Sequence, residues 1–182
     1  MQPIRPDHPL RRWFGGLVEQ TFCSEVGVCD PTLTEYVTDL LVDFTHIDRL
    51  NAIRNAQGRR LEQIAAMLAV ASDDKPDSPA DRERSLYRHI GDYTLFWAGV
   101  FPEQVSKTRN RASDVLLDYV TQGKRSYAIV SELAREDEAP PASLFRHLSQ
   151  DFEVCLHGLH LVRRGWQSAE SAPGDLGEGL IY

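Results

Sequence analysis

The sequence predicts an all-α protein, a single-domain bundle of six or seven helices packed around a buried central helix. Apolar residues recur every three or four positions between Pro and Gly residues, which is the period of a helix, and no segment alternates as a strand does. The 182 residues are 42% hydrophobic and 9% aromatic, enough for one core. We expect residues 1–166 to form this domain and 167–182, rich in Gly and Ser, to form a flexible tail.

The first two helices have clear start signals. Pro9 opens a helix whose apolar face ends by Gly27. Asp30 followed by Pro31 combines a capping side chain with the one helical position that tolerates a missing N–H. The apolar stripe that follows runs to residue 50, and a third helix is predicted over 61–71, after Gly58.

The central helix is predicted from residue 79 to about residue 101. An acidic, proline-containing loop over 72–79 precedes it, with Ser78 as the cap and Pro79 in the first turn. Apolar residues then cover most of the helix circumference, which indicates a helix enclosed by its neighbours.

The remaining elements are predicted as a helix pair, a loop and a last helix. The pair covers about 102–122 and 124–136 and is hinged near Gly123, and the loop covers 136–141. The last helix covers about 142–165 and ends in Arg163 and Arg164, whose charge suits the negative end of a helix dipole.

Charge and cysteine usage exclude several classes of protein. Lys and Arg number 20 against 27 Asp and Glu, a net charge of −7 that argues against nucleic-acid binding. The longest apolar run, 64–71, is far shorter than the roughly 20 residues of a bilayer span, so no membrane partner is expected. Three cysteines without a Cys-x-x-Cys pair predict reduced, mostly buried thiols in a soluble, cytoplasmic protein.

Carboxylates and histidines on the flanks of three helices form a candidate metal site. Side chains three or four positions apart on facing helices can reach one ion, so the pattern suits a divalent transition metal. Because 26% of the residues are charged, the same neighbours also arise as polar flanks of amphipathic helices. The candidate ligands are Asp43 and His46 on the second helix (with Asp39 at the same spacing), His89 and Asp92 on the central helix, and Glu153, His157 and His160 on the last helix. His8 and His147 are expected on the surface.

Two resemblances accompany these patterns. The segment RHIGDYTLFWAGVFPE, residues 88–103, resembles uncharacterised bacterial all-helical proteins with the same Gly-Asp, Leu-Phe, Gly and Phe spacing, and implies only a helical fold. In size, and in having one early histidine (His46) and two late ones (His157 and His160), the chain is similar to the DinB-like metal-dependent hydrolases and transferases. Its late pair is spaced His-x-x-His, whereas that family prefers His-x-x-x-His.

No segment matches a catalytic or binding signature closely enough to assign an activity. Two hypotheses from different classes are left. The first is a small cytoplasmic helical interaction or regulatory module without catalysis, whose partner is another protein or a second copy of the chain. The alternative is a metal-dependent, DinB-like hydrolase or transferase, or a metal carrier, using the flanking histidines and carboxylates.

Overall fold

The computed structural model describes residues 8–45, 78–103 and 112–171, and the fold of these residues is all-α. In chain order the helices are α1 (Pro9–Thr21), α2 (Pro31–Thr45), α3 (Pro79–Val100), α4 (Ala112–Leu133), α5 (Ala142–Gln150) and α6 (Phe152–Ser171), with a short π-helix, Phe22–Val26, continuing α1. The predicted helix over 61–71, the loop residues 72–77, His46 and residues 172–182 lie outside the described residues. None of the described helices is long and apolar enough to cross a membrane.

Local signals at the helix ends act as the sequence predicts. Gly27 ends the π-helix with a left-handed φ of 83°, which a residue with a Cβ rarely adopts. The Asp30 carboxylate then accepts the backbone N–H of Thr32 at 2.9 Å and caps α2. At the start of α3, Ser78 Oγ accepts the N–H of Asp81 at 3.1 Å.

Helix α3 is the central helix, as predicted. It packs against α2, α4 and α6, and every residue from Ile90 to Phe96 is buried. Its Phe96 ring stacks on Phe44 of α2 with centroids 4.6 Å apart. Arg163 of α6 donates to the backbone carbonyl of Val100 at 2.7 Å, so its charge lies at the C-terminal end of α3.

The predicted hinge at Gly123 is wrong, because α4 continues through it as one helix. Gly123 is buried where α4 crosses α3 and α6, and a Cβ there would overlap the Phe152 ring and lie 2.7 Å from Thr94 Oγ1. Glycine is needed here for close helix packing and not for a turn.

The predicted last helix is two helices. The chain breaks at Asp151, whose backbone φ of −106° and ψ of 31° leave the helical region, and α6 then starts at Phe152. Helix α6 extends to Ser171, so residues 167–171 are helical and the predicted tail boundary at 166 falls inside a helix. Trp166 packs edge-on against Phe14 of α1, with ring centroids 5.3 Å apart.

We predict that Gly123→Ala lowers the free energy of unfolding by about 1–3 kcal/mol, because the new methyl group overlaps a fully buried ring. The matched control is Gly16→Ala on α1, where a Cβ meets nothing within 4 Å. We expect this control to stabilise the protein by up to about 1 kcal/mol through helix propensity alone. Urea denaturation measures both. A Gly123→Ala protein as stable as the control would show that α4 does not pack as described.

Candidate functional site

Two arrangements of polar side chains are candidates for a functional site. One is a buried network around Asp92 of α3, and Asp92 is also one of the predicted metal ligands. The other is an open cleft between α1 and the N-terminal half of α2. Burial and access to solvent decide what each can do.

The buried network joins three helices at one carboxylate. Asp92 Oδ1 accepts hydrogen bonds from the hydroxyl of Tyr36 on α2 at 2.6 Å and from the hydroxyl of Tyr127 on α4 at 2.8 Å. Arg88, one turn earlier on α3, donates to the Tyr36 hydroxyl at 3.2 Å, and its Nε lies 3.7 Å from Asp92 Oδ2. The Asp92 charge is therefore both hydrogen-bonded and paired, as a buried carboxylate requires.

Aromatic rings cover the two tyrosines of this network, whereas the Arg88 side chain at its edge is 40% exposed. Tyr36 is 7% exposed and Tyr127 is fully buried. Phe145 packs on both tyrosine rings, and Phe152 packs on Tyr127. Burial, together with the negative charge of Asp92, raises the pKa of both tyrosines well above the usual value of about 10. The tyrosines are therefore neutral donors at physiological pH, and their hydrogen bonds to Asp92 hold α2 and α4 to α3.

The cleft between α1 and α2 is open and has a volume of about 450 Å³. On one wall, Arg11 of α1 donates to Asp39 of α2 at 2.8 Å and to Glu35 at 3.3 Å. These hydrogen bonds raise the pKa of Arg11 and keep it charged. Glu19, Asp30 and Glu35 supply carboxylates to the lining, so negative charge exceeds positive charge among the described residues of the cleft.

Cys23 and Cys29 form a disulfide at the lining of this cleft. The sequence prediction of reduced, buried thiols is wrong for this pair, since Cys29 is exposed and Cys23 half-buried. The prediction is confirmed for Cys155, which is a free cysteine and is buried, with an exposure of 1%. Burial raises the pKa of its thiol to about 12.

The N-terminus of α2, which borders the cleft, is held to the rest of the bundle by His147. Its Nδ1 lies 3.2 Å from Oδ2 of Asp30, the capping residue of α2, and its Nε2 lies 3.3 Å from Oδ2 of Asp151. The expectation of a surface position is met only in part for His147, whose half-buried side chain is 30% exposed and lies between two carboxylates. It is right for His8, which is exposed and accepts the N–H of Leu10.

The predicted metal ligands are placed on three helices. Glu153 of α6 is exposed and paired with Lys124 Nζ of α4 at 2.8 Å, which lowers the pKa of that carboxyl group. Asp92 faces the two tyrosines described above. Across the three described ranges, no group of three or more His, Cys, Asp and Glu side chains is placed to hold a metal ion. Of the other candidates, Asp43, His157 and His160 are exposed, His89 is half-buried and His46 lies outside the described residues. The metal site stays a prediction.

Comparison of the chain with protein-family models, with curated proteins and with solved structures gave no match. The two resemblances described from the sequence therefore stay expectations. Function has to be argued from the residues of this chain.

Sequence reasoning missed Tyr36 and Tyr127 as partners of Asp92, and it missed the disulfide. A signal existed for the network: an aspartate inside a helix that is apolar on most sides needs buried donors, and tyrosines on the apolar faces of other helices supply them. The signal for the disulfide was weaker. Only the position of Gly27 between Cys23 and Cys29 indicated a chain reversal that could bring the sulfurs together.

We predict that the free energy of unfolding falls as pH rises above about 10, where unfolded tyrosines lose their protons while Tyr36 and Tyr127, with raised pKa values, keep theirs. The folded state then binds more protons than the unfolded state, so alkali favours unfolding. Each such tyrosine contributes a slope of about 1.4 kcal/mol per pH unit.

Denaturation at a series of pH values checks this pH dependence. Tyr127→Phe should be less stable than wild type at pH 8 because Asp92 loses a donor, and its stability should fall less steeply above pH 10 because one titrating group is gone. Tyr36→Phe should behave in the same way. Equal slopes for wild type and both variants would contradict the assignment of these tyrosines to the buried network.

Proposed function

We propose that the protein is a small helical interaction module without catalysis of its own, which binds a cationic segment of a partner protein in the cleft between α1 and α2. The observation that carries the proposal is the open cleft with its excess of carboxylates. A volume of about 450 Å³ falls within the range of sites that hold a small ligand or a few side chains.

The charges of the lining favour a Lys- or Arg-bearing segment. Among the described lining residues, Glu19, Asp30 and Glu35 oppose the guanidinium of Arg11, which already pairs with Glu35 and Asp39. A cationic side chain that enters the cleft gains attraction from these carboxylates, whereas an anionic one is repelled. A second copy of the chain is the weaker candidate, because each copy carries a net charge of −7.

The walls of the cleft are held in position before any partner arrives. Arg11 connects α1 to α2 across it, and His147 holds Asp30 at the start of α2. A preorganised site loses less conformational entropy on binding than a mobile one does. This supports recognition through the cleft and needs no movement of the buried network.

We keep the cytoplasm as the proposed compartment. Three cysteines in 182 residues are too few for the dense disulfide framework of small exported domains. The acidic composition also suits a protein that stays dispersed among other macromolecules.

We predict that panning a random peptide library on the full chain enriches Lys- and Arg-containing peptides, and that Glu19→Lys weakens binding of the enriched peptides at least about tenfold by charge repulsion. Glu132→Lys on α4 is the matched control, since it makes the same charge change at an exposed site outside the cleft lining. Fluorescence anisotropy measures both affinities. Absence of enrichment, or equal weakening by both substitutions, would sink the proposal.

The metal-dependent alternative is separated from this proposal by elemental analysis of tag-free protein. We predict no stoichiometric binding on titration with zinc, nickel or iron, because Asp92 is bound by two tyrosines and Glu153 by Lys124. A stoichiometric metal that is lost on joint replacement of His46 and His160 by Ala, with the helical circular dichroism unchanged, would favour the metal-dependent alternative.

A further inference from the structure

The disulfide between Cys23 and Cys29 lies at the surface, on a turn that brings the two residues together. Cys23 is in the π-helix, and Cys29 immediately precedes Asp30, the cap of α2. Their Cα atoms are 4.6 Å apart. Cys29 is exposed and Cys23 is half-buried, so a reagent from solvent meets Cys29 first.

Backbone interactions hold this turn independently of the sulfur–sulfur bond. Gly27 adopts its left-handed conformation, and the N–H of Val28 donates to the carbonyl of Phe22 at 2.9 Å. The Asp30 carboxylate receives the N–H of Thr32 on the other side of the turn. Two reduced thiols would therefore stay within bonding distance of each other, and only a short loop is closed when they rejoin.

Exposure makes Cys29 the more accessible of the two, because Cys29 is exposed and Cys23 is half-buried. Cys155 provides the internal contrast, since it is buried and its pKa is raised to about 12. A buried thiol of that kind is nearly inert at neutral pH.

We propose that Cys23 and Cys29 are a reversible thiol–disulfide exchange site that reacts with small thiols of the glutathione class, with Cys29 as the sulfur that exchanges with the external thiol and Cys23 as the resolving sulfur. This inference rests on the turn and the exposure of Cys29 and does not depend on partner binding in the cleft.

The exchange proceeds in two balanced steps. An external thiolate attacks Cys29 Sγ, breaks the bond to Cys23 and forms a mixed disulfide on Cys29, while Cys23 leaves as a thiolate and takes up a proton. A second external thiolate attacks the external sulfur of that mixed disulfide and releases Cys29. In sum the protein disulfide gains two electrons and two protons, and two external thiols become one external disulfide. Re-oxidation is the reverse, with the Cys29 thiolate attacking an external disulfide.

Thiol exchange at this pair also alters the lining of the cleft. Both cysteines line the cleft together with Arg11 and Glu19. A mixed disulfide on Cys29 adds a bulky group to that lining. The oxidation state of the pair therefore changes the shape and chemistry of the same surface.

The test uses the native, tag-free full chain in buffers with set ratios of reduced to oxidised glutathione. Samples are quenched with acid, alkylated and mapped by mass spectrometry, which reports Cys23, Cys29 and Cys155 separately. We expect Cys23 and Cys29 to move together between linked and free states as the ratio changes, with the helical circular dichroism unchanged. In the reduced native protein, we expect alkylation of Cys29 to be at least about 100-fold faster than that of Cys155 at neutral pH.

Two single variants test the roles of the sulfurs. In Cys23→Ser, which lacks the resolving sulfur, a glutathione adduct should accumulate on Cys29. In Cys29→Ser, the adduct on Cys23 should form at least about tenfold more slowly, because that sulfur is less exposed. Equal rates in the two variants would overturn the assignment of Cys29.

Results on the wild-type chain can overturn the whole inference. The pair is not an exchange site if excess dithiothreitol reduces it only after denaturation. The same conclusion follows if the reduced native protein does not form the Cys23–Cys29 bond in oxidised glutathione. Neither result decides whether the cleft binds a cationic peptide, so the exchange site and the interaction module succeed or fail separately.

Discussion

The carboxylate of Asp92 is the constraint on which the arrangement of the bundle depends. A charge placed inside an apolar bundle costs several kcal/mol unless donors and a counter-charge surround it. Asp92 is on the central helix, and its two hydrogen-bond donors come from α2 and α4. The pairing therefore fixes how far each of these helices is rotated and shifted relative to α3. Hydrophobic packing alone tolerates many such positions, because it has no direction.

Close packing around that carboxylate follows from small residues next to it. Gly91 precedes Asp92, and a Cβ at Gly91 would lie 2.7 Å from the Tyr127 ring, so glycine allows this ring to approach. Gly123, one turn before Tyr127, allows the Phe152 ring to approach the backbone of α4 in the same way. The glycines, the tyrosine and the carboxylate form one packing unit, and a change at any of them disturbs the position of α4 on α3.

The sequence was sufficient to predict the fold class, the starts of α1, α2 and α3, and the position of the central helix. These features depend on local chemistry, namely Pro9, the Asp30-Pro31 pair and Ser78, and on an apolar surface that exceeds one stripe.

The sequence was not sufficient to predict the structure at Gly123 and Asp151. Glycine is used both in turns and where helices touch, and only the neighbouring Phe152 ring distinguishes the two uses. The break at Asp151 interrupts an apolar pattern that continues across it. The position of His147 between the carboxylates of Asp30 and Asp151 depends on tertiary contacts, which the sequence pattern does not show. The disulfide depends on a turn whose geometry is not encoded in cysteine spacing alone.

The division between a closed and an open polar region decides where function can lie. The hydrogen bonds of Asp92 to Tyr36 and Tyr127 are buried, and aromatic rings pack on both tyrosines. The cleft has the opposite properties: its carboxylates line an open volume, and its lining includes both cysteines of the disulfide. The same helix α2 joins both regions, with Tyr36 directed to the network and Glu35 to the cleft. Because the network holds α2 in place, the proposed partner binding and the proposed thiol exchange both act on a surface that the buried core supports. In such an arrangement, a change of charge or oxidation state at the surface has a defined effect on binding.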